Sequence, residues 1–474
     1  MNHFELLIGG HPVGGVCDQS IGKQVMRSPF SGQIVGTAAE GGESELKACI
    51  DAATEAFSTW RHSSRAERVQ LLRSVASVVR LRSEELVGLL IQEIGKPRTW
   101  ARGEVWRLAL TFDYAADAVA DFGTEAIPLD LDSRGADYTC TSERFPRGPI
   151  FCLVPYNWPF NLSAHKIAPA LATGNTVVVK TSPLAPICTL ALVRLIQECG
   201  APPGVINAWN GADRHVLPAL ADPRVKMLSF TGSAKVGWML KKEVWDRPVA
   251  LELGGDGFVV VDKSADLDWA VKRITAGGYG YAGQVCIAVQ HVLVHESIYE
   301  DLRLRLIAAT EACPTGDPES ETTVCGPLIS SVAADKVEAA ISSGGKILAG
   351  GGRNGNVLSP TLLEETPPQS TMAREEVFGP AVDLAPFGSA DEAIERVNRS
   401  QYGIHLGLFS GEPATVERFY REVETGGLVV NDYPTLRFDN VPYGGVKRSG
   451  FGREGVRYAM FEMTEPKSLV SKRA

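Results

Sequence analysis

The chain has 474 residues, of which 44% are hydrophobic and 22% charged, and its formal net charge is −9 at pH 7. This length predicts two or three domains of a globular protein. The negative charge argues against nucleic acid as a partner. No apolar stretch approaches the roughly 20 residues that span a bilayer, so we expect no membrane association.

Nine cysteines are dispersed along the chain, and no two of them form a CxxC pair. The odd number and the spacing fit a reducing compartment and argue against a disulfide framework and a metal site. The first residues, MNHFELLIGG, lack the cationic start and the long apolar run of a signal peptide. We therefore expect a cytoplasmic protein without a bound metal.

The predicted elements change in kind along the chain. Apolar residues recur at helical spacing over residues 44–121, which predicts helices, whereas residues 128–145 predict extended strands around a turn at Gly135. Short apolar runs such as GPIFCLVP, NTVVVK and VKMLSFTG then alternate with helical runs such as APICTLALVRLIQECG. A second such series starts near residue 257 with the strands FVVV and QHVLVH. This alternation implies βαβ units and a parallel sheet covered on both faces, so the predicted fold class is α/β.

The stretch LSFTGSAKVG joins a predicted strand to a predicted helix through Gly232 and Ser233. A helix N-terminus presents free N–H groups and the positive end of the helix dipole, which suits a pyrophosphate. The alternative is an ordinary turn between a strand and a helix.

The stretch GYAGQVCIAVQHVLVH contains a single cysteine, Cys286, and an apolar, strand-like run follows it. Two roles are open for this residue: a buried packing residue, as most cysteines are, or a nucleophile held near a strand. A thiol acts as a nucleophile only as the thiolate, so it needs a helper group or a favourable field.

Two residues that precede Cys286 in the chain, Glu252 and Asn157, are candidate helper groups. Glu252 lies between two leucines in LELGG, and a carboxylate in apolar surroundings has a raised pKa and can act as a general base near neutral pH. Asn157 in PYNWPF can donate its amide to a developing oxyanion. The alternatives are a surface glutamate at a strand end and a turn former beside Pro159. Together with Cys286, these residues predict covalent chemistry beside a dinucleotide.

Eight stretches, in this order, make the chain resemble the aldehyde dehydrogenase family: PYNWPFN, GNTVVVKTSP, PPGVINAWNG, SFTGSAKVG, LELGGD, GQVCIAVQ, EEVFGP and PYGGVKRSGFGREG. The resemblance covers nearly the whole chain. Residues 430–467 are most similar to the branch that includes lactaldehyde, non-phosphorylating glyceraldehyde-3-phosphate and phosphonoacetaldehyde dehydrogenases.

The resemblance implies an aldehyde-dehydrogenase fold with three parts. Residues 1–125 and 147–252 would form a Rossmann-like dinucleotide-binding domain, and residues 253–442 an α/β catalytic domain. Residues 126–146 and 455–474 would supply the strands of a small β extension used in oligomers. The expected assembly is a homodimer or homotetramer, in which the extension pairs with a partner subunit and covers otherwise exposed strand edges.

The resemblance also implies the reaction, which is oxidation of an aldehyde to a carboxylic acid with NAD or NADP. Cys286 would attack the carbonyl carbon, while the side-chain amide of Asn157 and the backbone N–H of Cys286 would hold the oxyanion. After hydride transfer to the nicotinamide, Glu252 would activate the water that hydrolyses the resulting thioester.

Seven residues are implied to contact the cofactor. They are Lys180 at the adenosine ribose, Gly232 and Ser233 at the pyrophosphate, Glu376 at the nicotinamide ribose, Phe378 near the ring, and Tyr156 and Leu253. Without the resemblance, a solvated strand end would explain Lys180 and core packing would explain Phe378.

Two positions depart from the family pattern. Members that prefer NAD often carry a glutamate three residues after the lysine, where this chain has Pro183. Without that carboxylate a 2′-phosphate is not repelled, so NAD and NADP both stay open. Asp256 follows LELGG where asparagine is usual, and the sequence assigns no consequence to it.

The substrate residues implied by the resemblance include two cations. Arg437 falls where many relatives present an aromatic ring, and a guanidinium there suits a carboxylate, phosphonate or phosphate on the aldehyde. Arg107 would be a second anion contact, with Trp158 and Tyr443 as pocket walls. The alternative is that both arginines form internal ion pairs, for example with Asp439.

Two other functions remain open at this point. A CoA-acylating relative would lack the water-activating glutamate, so the presence of Glu252 argues against it. A catalytically silent scaffold or binding protein on the same fold would usually have lost the thiol or the base, and this sequence has both.

Overall fold

Strands and helices alternate from residue 150 onward in the computed structural model, which describes residues 2–473. This arrangement confirms the predicted α/β class. The strands are β1 (Asn2–Phe4), β2 (Leu6–Ile8), β3 (His11–Val13), β4 (Gly22–Arg27), β5 (Ile34–Glu40), β6 (Thr124–Ile127), β7 (Tyr138–Pro146), β8 (Ile150–Leu153), β9 (Val177–Lys180), β10 (Ile206–Trp209), β11 (Met227–Thr231), β12 (Val249–Glu252), β13 (Phe258–Val261), β14 (His291–His295), β15 (Lys346–Ala349), β16 (Arg353–Asn354), β17 (Val357–Leu358), β18 (Thr361–Glu364), β19 (Ala381–Phe387), β20 (His405–Phe409), β21 (Gly427–Val430), β22 (Gly450–Phe451) and β23 (Thr464–Lys472).

The α-helices connect these strands and build the first part of the chain. They are α1 (Glu43–Trp60), α2 (Arg65–Leu81), α3 (Ser83–Ile94), α4 (Arg98–Ala118), α5 (Pro159–Ala172), α6 (Pro186–Glu198), α7 (Val216–Leu220), α8 (Ala234–Glu243), α9 (Leu267–Tyr279), α10 (Tyr299–Glu311), α11 (Ser331–Ser342), α12 (Thr371–Arg374), α13 (Ala390–Arg399), α14 (Pro413–Glu422) and α15 (Val456–Glu462). The predicted helical region 44–121 corresponds to α1 to α4.

Local signals set the helix ends near the site. Helix α2 begins after Ser64, whose side chain accepts from the Glu67 backbone N–H while Glu67 bonds back to Ser64. Helix α3 ends at Gly95, which has a φ of 64°. Helix α5 begins with Pro159, which tolerates the first turn because its missing N–H needs no partner there.

The first sheet has eight strands in the order β22-β12-β11-β8-β9-β10-β2-β3. Its five central strands, β8 to β12, run parallel and are almost entirely buried, whereas the outer strands pair antiparallel. Strand β8 lies between β9 and β11, so the chain order reverses there. Open α/β sheets bind ligands outside the carboxyl ends of their strands at such a switch point.

The second sheet has seven strands in the order β15-β18-β19-β14-β13-β20-β21. All its pairs are parallel except the edge pair of β15 with β18. The first sheet and helices α1 to α6 share one large apolar core, while three smaller apolar clusters lie around the second sheet. The site described below lies where the segments after β12, α9 and β21 meet.

Another sheet has three strands in the order β23-β7-β6, and both of its strand pairs are antiparallel. The prediction of strands over 455–474 is wrong for residues 456–462, which form helix α15. That helix buries Val456, Ala459 and Met460. Residues 128–137, also predicted as extended, contain only a short 3-10 turn at Ser133–Gly135. Over residues 2–473, no helix combines the length and the apolar character that crossing a membrane requires.

Candidate active site

Cys286 lies in a turn between two rigid segments. The 3-10 segment Gly280–Gly283 precedes it, and strand β14 starts at His291, so a short connection separates the thiol from the strand. Tyr281 and Ala282 have left-handed φ values of 52° and 53°. A Cβ added to Gly283 would lie 2.2 Å from the Gly379 carbonyl oxygen. Because only glycine fits this close approach, the path of the chain toward Cys286 is narrowly defined.

The thiol faces a cavity of about 440 Å³ whose walls include seven aromatic residues. The aromatic lining residues are Trp100, Trp106, Tyr114, Trp158, Tyr433, Phe438 and Tyr443. Arg107 and Arg437 line the same cavity, so four predicted substrate residues meet at one place with Cys286. The volume and the mixture of apolar walls with a few polar groups are typical of a small-molecule site.

The environment of the Cys286 sulfur is partly buried and contains one close hydroxyl. Its Sγ lies 3.1 Å from the hydroxyl oxygen of Tyr443. Burial raises the pKa of the Cys286 thiol to about 12, and the hydrogen bond between it and Tyr443 opposes that rise. A negative charge on Glu376 raises this pKa further, whereas the positive charge of Arg437 lowers it.

Glu252 is the last residue of β12, where the first sheet meets the segment carrying Cys286. Its side chain is buried, and its Oε2 atom has no hydrogen-bond partner among residues 2–473. Burial raises the pKa of Glu252 well above its usual value, and the nearby charge of Glu454 adds to the rise. A buried carboxyl of raised pKa can take up a proton near neutral pH.

Asn157 contacts the segment that carries Cys286. Its Nδ2 donates to the backbone carbonyl of Gln284 at 2.9 Å, two residues before Cys286. One of its two amide hydrogens is therefore engaged, and the other is left for a further acceptor. Neither Asn157 nor Glu252 lines the cavity that Cys286 faces.

Arg107 adopts the internal ion pair that was the alternative to an anion contact. Its Nε and Nη2 atoms lie 2.9 and 2.6 Å from the two carboxylate oxygens of Asp439. Arg437 is also buried and paired, with Nη2 3.2 Å from Glu454 Oε2. Its guanidinium carbon lies 3.7 Å from the centre of the Tyr443 ring. Both predicted anion contacts are therefore also structural cations.

Sequence reasoning missed the buried groups that complete this network. His165 Nε2 lies 2.7 Å from Asp439, and Lys166 Nζ lies 3.0 Å from Glu454. The signal in the sequence is the adjacent His-Lys pair inside the apolar helix PFNLSAHKIAPALA. A buried charge needs a partner, so two cationic residue types inside an apolar run indicate distant carboxylates.

Two further missed residues hold the segment that carries Asn157. Glu104 and Lys96 form a fully buried ion pair. The Oε1 atom of Glu104 also accepts from the backbone N–H groups of Phe160 and Asn161, at 2.9 and 3.1 Å. These contacts place a negative charge at the N-terminus of α5, where the helix dipole favours it.

The residues predicted at the pyrophosphate surround the start of helix α8. Ser233 caps the helix by accepting from the Val236 backbone N–H. A Cβ at Gly237 would lie 2.3 Å from Leu253, and one at Gly232 would lie 2.6 Å from Phe230. A larger residue at either position would have to displace the neighbouring side chain, and Leu253 packs against the first turn of the helix. The helix N-terminus itself fits a phosphate group.

The remaining predicted cofactor residues divide between the two sheets. Lys180, at the end of β9, pairs with Asp213 at 2.5 Å. Glu376 accepts from the Gly255 backbone N–H at 3.0 Å, and burial raises its pKa to about 7. Phe378 packs edge-on against Tyr156, with ring centres 6.2 Å apart.

Asp256 contacts Ser400, which follows α13, and His291, the first residue of β14. Its Oδ2 accepts from the Ser400 hydroxyl at 2.5 Å and lies 4.0 Å from His291 Nε2. The other ring nitrogen of His291 lies 2.5 Å from Asp383. The unusual aspartate therefore ties the segment after LELGG to β14 and β19. Within the described residues, no group of three His, Cys, Asp or Glu side chains is arranged to hold a metal ion.

Comparison with known proteins gives consistent results. The sequence model of the aldehyde dehydrogenase family matches residues 17–469. The chain is 38% identical over 409 residues to a 3-sulfolactaldehyde dehydrogenase of Priestia aryabhattai, covering 85% of this chain and 86% of that protein.

Two solved structures extend the likeness to the fold. Aldehyde dehydrogenase 21 of Physcomitrella patens, in complex with the reaction product succinate, superposes with a TM-score of 0.96 at 34% identity, over 100% of this chain and 99% of that chain. Glyceraldehyde-3-phosphate dehydrogenase GapN of Methanocaldococcus jannaschii, complexed with NADP, gives a TM-score of 0.91 at 36% identity, over 95% and 99% of the two chains. The predicted family and fold are confirmed: the chain belongs to the aldehyde dehydrogenase family and is an oxidoreductase.

Proposed function

We propose that this enzyme oxidises a small anionic aldehyde to the carboxylic acid through a thioester on Cys286. The observation that carries the proposal is the Cys286 thiol at the wall of an aromatic cavity, beside a buried carboxyl that has an unpartnered oxygen. Asn157, bonded to the chain two residues before the thiol, supplies an amide close to the reacting sulfur.

We assign a group to each step. As the thiolate forms its bond to the carbonyl carbon, the C=O electrons move to oxygen, where the Asn157 amide and the Cys286 backbone N–H donate to them. NAD or NADP, when bound, supplies the acceptor for the hydride. Glu252 then takes a proton from water as the water oxygen bonds to the thioester carbon, and the C–S bond breaks to release the acid.

The residues present fit a nicotinamide dinucleotide. The N-terminus of α8 with Gly232 and Ser233 would take the pyrophosphate, and Glu376 would accept from a ribose hydroxyl. Lys180 lies at the carboxyl end of β9, next to the switch point of the first sheet. Phe378 and Tyr156 would flank the nicotinamide end of the cofactor, and Leu253 would pack against the first turn of helix α8.

Two donors without a hydrogen bond in the cavity wall support an anionic substrate. Trp158 Nε1 and Arg437 Nε are buried and have no hydrogen-bond partner in the part of the chain that the structure describes, although Arg437 Nε lies 3.7 Å from Asp439 Oδ1. Buried N–H groups nearly always have an acceptor, so the oxygens of a bound anion would satisfy them. A sulfonate, a carboxylate and a phosphate are the anions in the compounds that the compared proteins' names give.

The thioester mechanism is tested by trapping. A Glu252→Gln variant given cofactor and an aldehyde should accumulate an acyl group on Cys286, because its deacylation is slow, and peptide mass spectrometry locates the adduct. A Cys286→Ala variant should bind cofactor and show no adduct. If the acyl group appears on another residue, or if CoA is needed for release, the assignment is wrong.

The substrate class is tested with Arg437→Leu and Trp158→Phe. We compare kcat/KM for glyceraldehyde-3-phosphate and succinic semialdehyde with that for uncharged propionaldehyde. Loss of either donor should lower the anionic values by about 100-fold relative to the uncharged one, since a hydrogen bond to a charged group contributes about 1.5–3 kcal/mol. Wild-type preference for the uncharged aldehyde by more than tenfold would remove the anion pocket from the proposal.

The assembly and compartment are further parts of the proposal. Strands β7 and β23 pair along their whole length but leave most of their side chains exposed, including Leu469 and Val470. We propose that this sheet mediates a homodimer or homotetramer, since exposed strand edges are usually covered. Sedimentation of the intact chain, compared with a Leu469→Lys variant, tests this. We also propose that the protein is cytoplasmic.

A further inference from the structure

The hydroxyl of Tyr443 is the hydrogen-bond partner of the Cys286 sulfur, at 3.1 Å. Sequence comparison gave Tyr443 only the role of a wall. A phenylalanine at this position would contribute the same apolar ring to the cavity wall. What the tyrosine hydroxyl adds is a hydrogen bond. That bond ends on the proposed reacting atom.

Two ring contacts and a pair of backbone hydrogen bonds hold Tyr443 in place, so its hydroxyl has little freedom to leave the sulfur. Arg437 stacks on one face, 3.7 Å from the ring centre, and His405 packs edge-on at 5.1 Å. Its backbone exchanges two hydrogen bonds with Glu454, at 2.9 and 2.7 Å. A donor held in place before the reaction costs no reorganisation when charge develops.

The charges around the sulfur make such a donor necessary. Burial disfavours the thiolate, and Glu376 and Glu252 oppose its negative charge when they are ionised. Arg437 favours the thiolate, but it is already paired with Glu454. Burial raises the pKa of Tyr443 well above its usual range, so this hydroxyl keeps its proton and stays a donor.

We propose that Tyr443 is a catalytic residue whose hydroxyl donates a hydrogen bond to the Cys286 thiolate. The bond acts twice: on the nucleophile before attack, and on the leaving sulfur when the thioester C–S bond breaks and the electron pair returns to sulfur. No proton is transferred to or from Tyr443 in either step. This inference rests on the proposed function of Cys286 as the nucleophile.

The test measures the thiol without cofactor or aldehyde. Wild type and Tyr443→Phe are alkylated with iodoacetamide from pH 6 to pH 10, and peptide mass spectrometry follows Cys286 separately from the other eight cysteines. We expect Tyr443→Phe to react about tenfold more slowly at pH 8, with its alkylation profile moved to higher pH, because the thiolate has lost a hydrogen bond. The kcat/KM of the variant should fall by a similar factor.

The matched control is Tyr433→Phe. Tyr433 lines the same cavity, but its ring lies under Arg273, with the guanidinium carbon 4.0 Å from the ring centre, and no hydrogen bond joins it to the sulfur. Its alkylation profile should equal that of wild type. A shift of equal size in both variants would mean that the cavity wall as a whole sets the reactivity, which overturns the proposal.

A second substitution covers the case in which Tyr443→Phe does not fold. Incorporation of 3-fluorotyrosine at position 443 keeps the ring and makes the hydroxyl a stronger donor, so the profile should move to lower pH. Unchanged alkylation in both variants overturns the role of Tyr443 while leaving the thioester mechanism intact. If trapping instead locates the acyl group away from Cys286, the proposed function fails.

Discussion

Arg107 and Asp439 form a two-point ion pair in the wall of the cavity, with Nε and Nη2 2.9 and 2.6 Å from the carboxylate oxygens. Helix α4 thereby holds the loop that also carries Arg437 and Tyr443. The Asp439 side chain is 3% exposed and receives His165 as well, so its charge depends on these partners. Removing one side of such a pair leaves a buried charge uncompensated.

We therefore predict that Arg107→Leu lowers the free energy of unfolding by about 3–5 kcal/mol, measured by urea denaturation. Arg102→Leu on the same helix is the control. Arg102 is 45% exposed and pairs with exposed Glu84 and Glu321, so its loss should cost less than about 1 kcal/mol. If Arg107→Leu is as stable as wild type but selectively loses anionic aldehydes, Arg107 is a substrate contact instead.

Glu252 should make both stability and deacylation depend on pH. Its folded pKa is raised by burial, so the folded state holds this proton at pH values where the unfolded chain has released it. The stabilisation is complete below the unfolded pKa of about 4.3 and is lost as pH rises through the folded value. Glu252→Gln stays uncharged, so its melting temperature relative to wild type should increase between pH 5 and pH 8.

Over the same range the wild-type deacylation rate should rise, because the base must be ionised to accept a proton from water. Single-turnover measurements of thioester loss test this, and Glu252→Gln should be slow and flat with pH. The exposed Glu55→Gln in α1 serves as control and should follow wild type in both measurements. A wild-type deacylation rate independent of pH from 5 to 8 would show that Glu252 is not the base.

The pair of Lys180 with Asp213 bears on the choice between NAD and NADP. The lysine side chain is 5% exposed and the aspartate 78%, so a carboxylate faces outward at the carboxyl edge of the first sheet. A carboxylate there accepts from ribose hydroxyls and repels a 2′-phosphate. It would compensate for Pro183, and we predict that the wild type binds NAD more tightly than NADP.

Asp213→Asn should shift the ratio of the two dissociation constants toward NADP by about tenfold, or 1.4 kcal/mol. Isothermal titration of each cofactor without substrate measures this directly. Asp246→Asn, a pairing aspartate beyond the end of α8, should leave the ratio unchanged. Tighter binding of NADP by the wild type, with no effect of Asp213→Asn, would place this carboxylate outside the ribose site.

The buried pair of Lys96 and Glu104 should position Asn157, the proposed oxyanion donor, without touching the substrate. Burial lowers the pKa of Lys96 to about 8, and Glu104 opposes that effect. Lys96 Nζ also lies 3.7 Å from the centre of a Trp158 ring, next to Asn157. We predict that Glu104→Gln destabilises the fold by about 3–5 kcal/mol and lowers kcat more than it raises KM.

The double variant Lys96→Met with Glu104→Gln removes both charges and should recover much of the stability. A double-mutant cycle in thermal unfolding gives the coupling energy between the two residues. If kcat recovers together with stability, Glu104 acts through the position of Asn157. Additive effects of the two substitutions would instead mean that the residues do not act as a pair.

Local patterns identified several strands of both parallel sheets, because buried parallel strands are short, continuous apolar runs such as Val177–Lys180. They did not identify β18, β19 and β20 of the second sheet. The same rule could not identify helix α5. All fourteen residues of Pro159–Ala172 are buried, so no polar face reveals the helical period. The local sequence of residues 456–462 does not reveal that Val456, Ala459 and Met460 pack into the core, so the prediction places these residues in a strand extension.

By itself, the sequence determined which chemical groups this protein has and in which order: a cysteine after Gly-Gln, a glutamate between leucines, and a serine that begins a helix. Only the tertiary structure decided which of them meet. Arg107 pairs with a residue 332 positions away, Lys166 with one 288 away, and Cys286 with one 157 away. The reason is physical: a side chain carries its own charge and hydrogen-bonding groups, whereas its pKa, its partner and its access to a cavity depend on what the folded chain places around it.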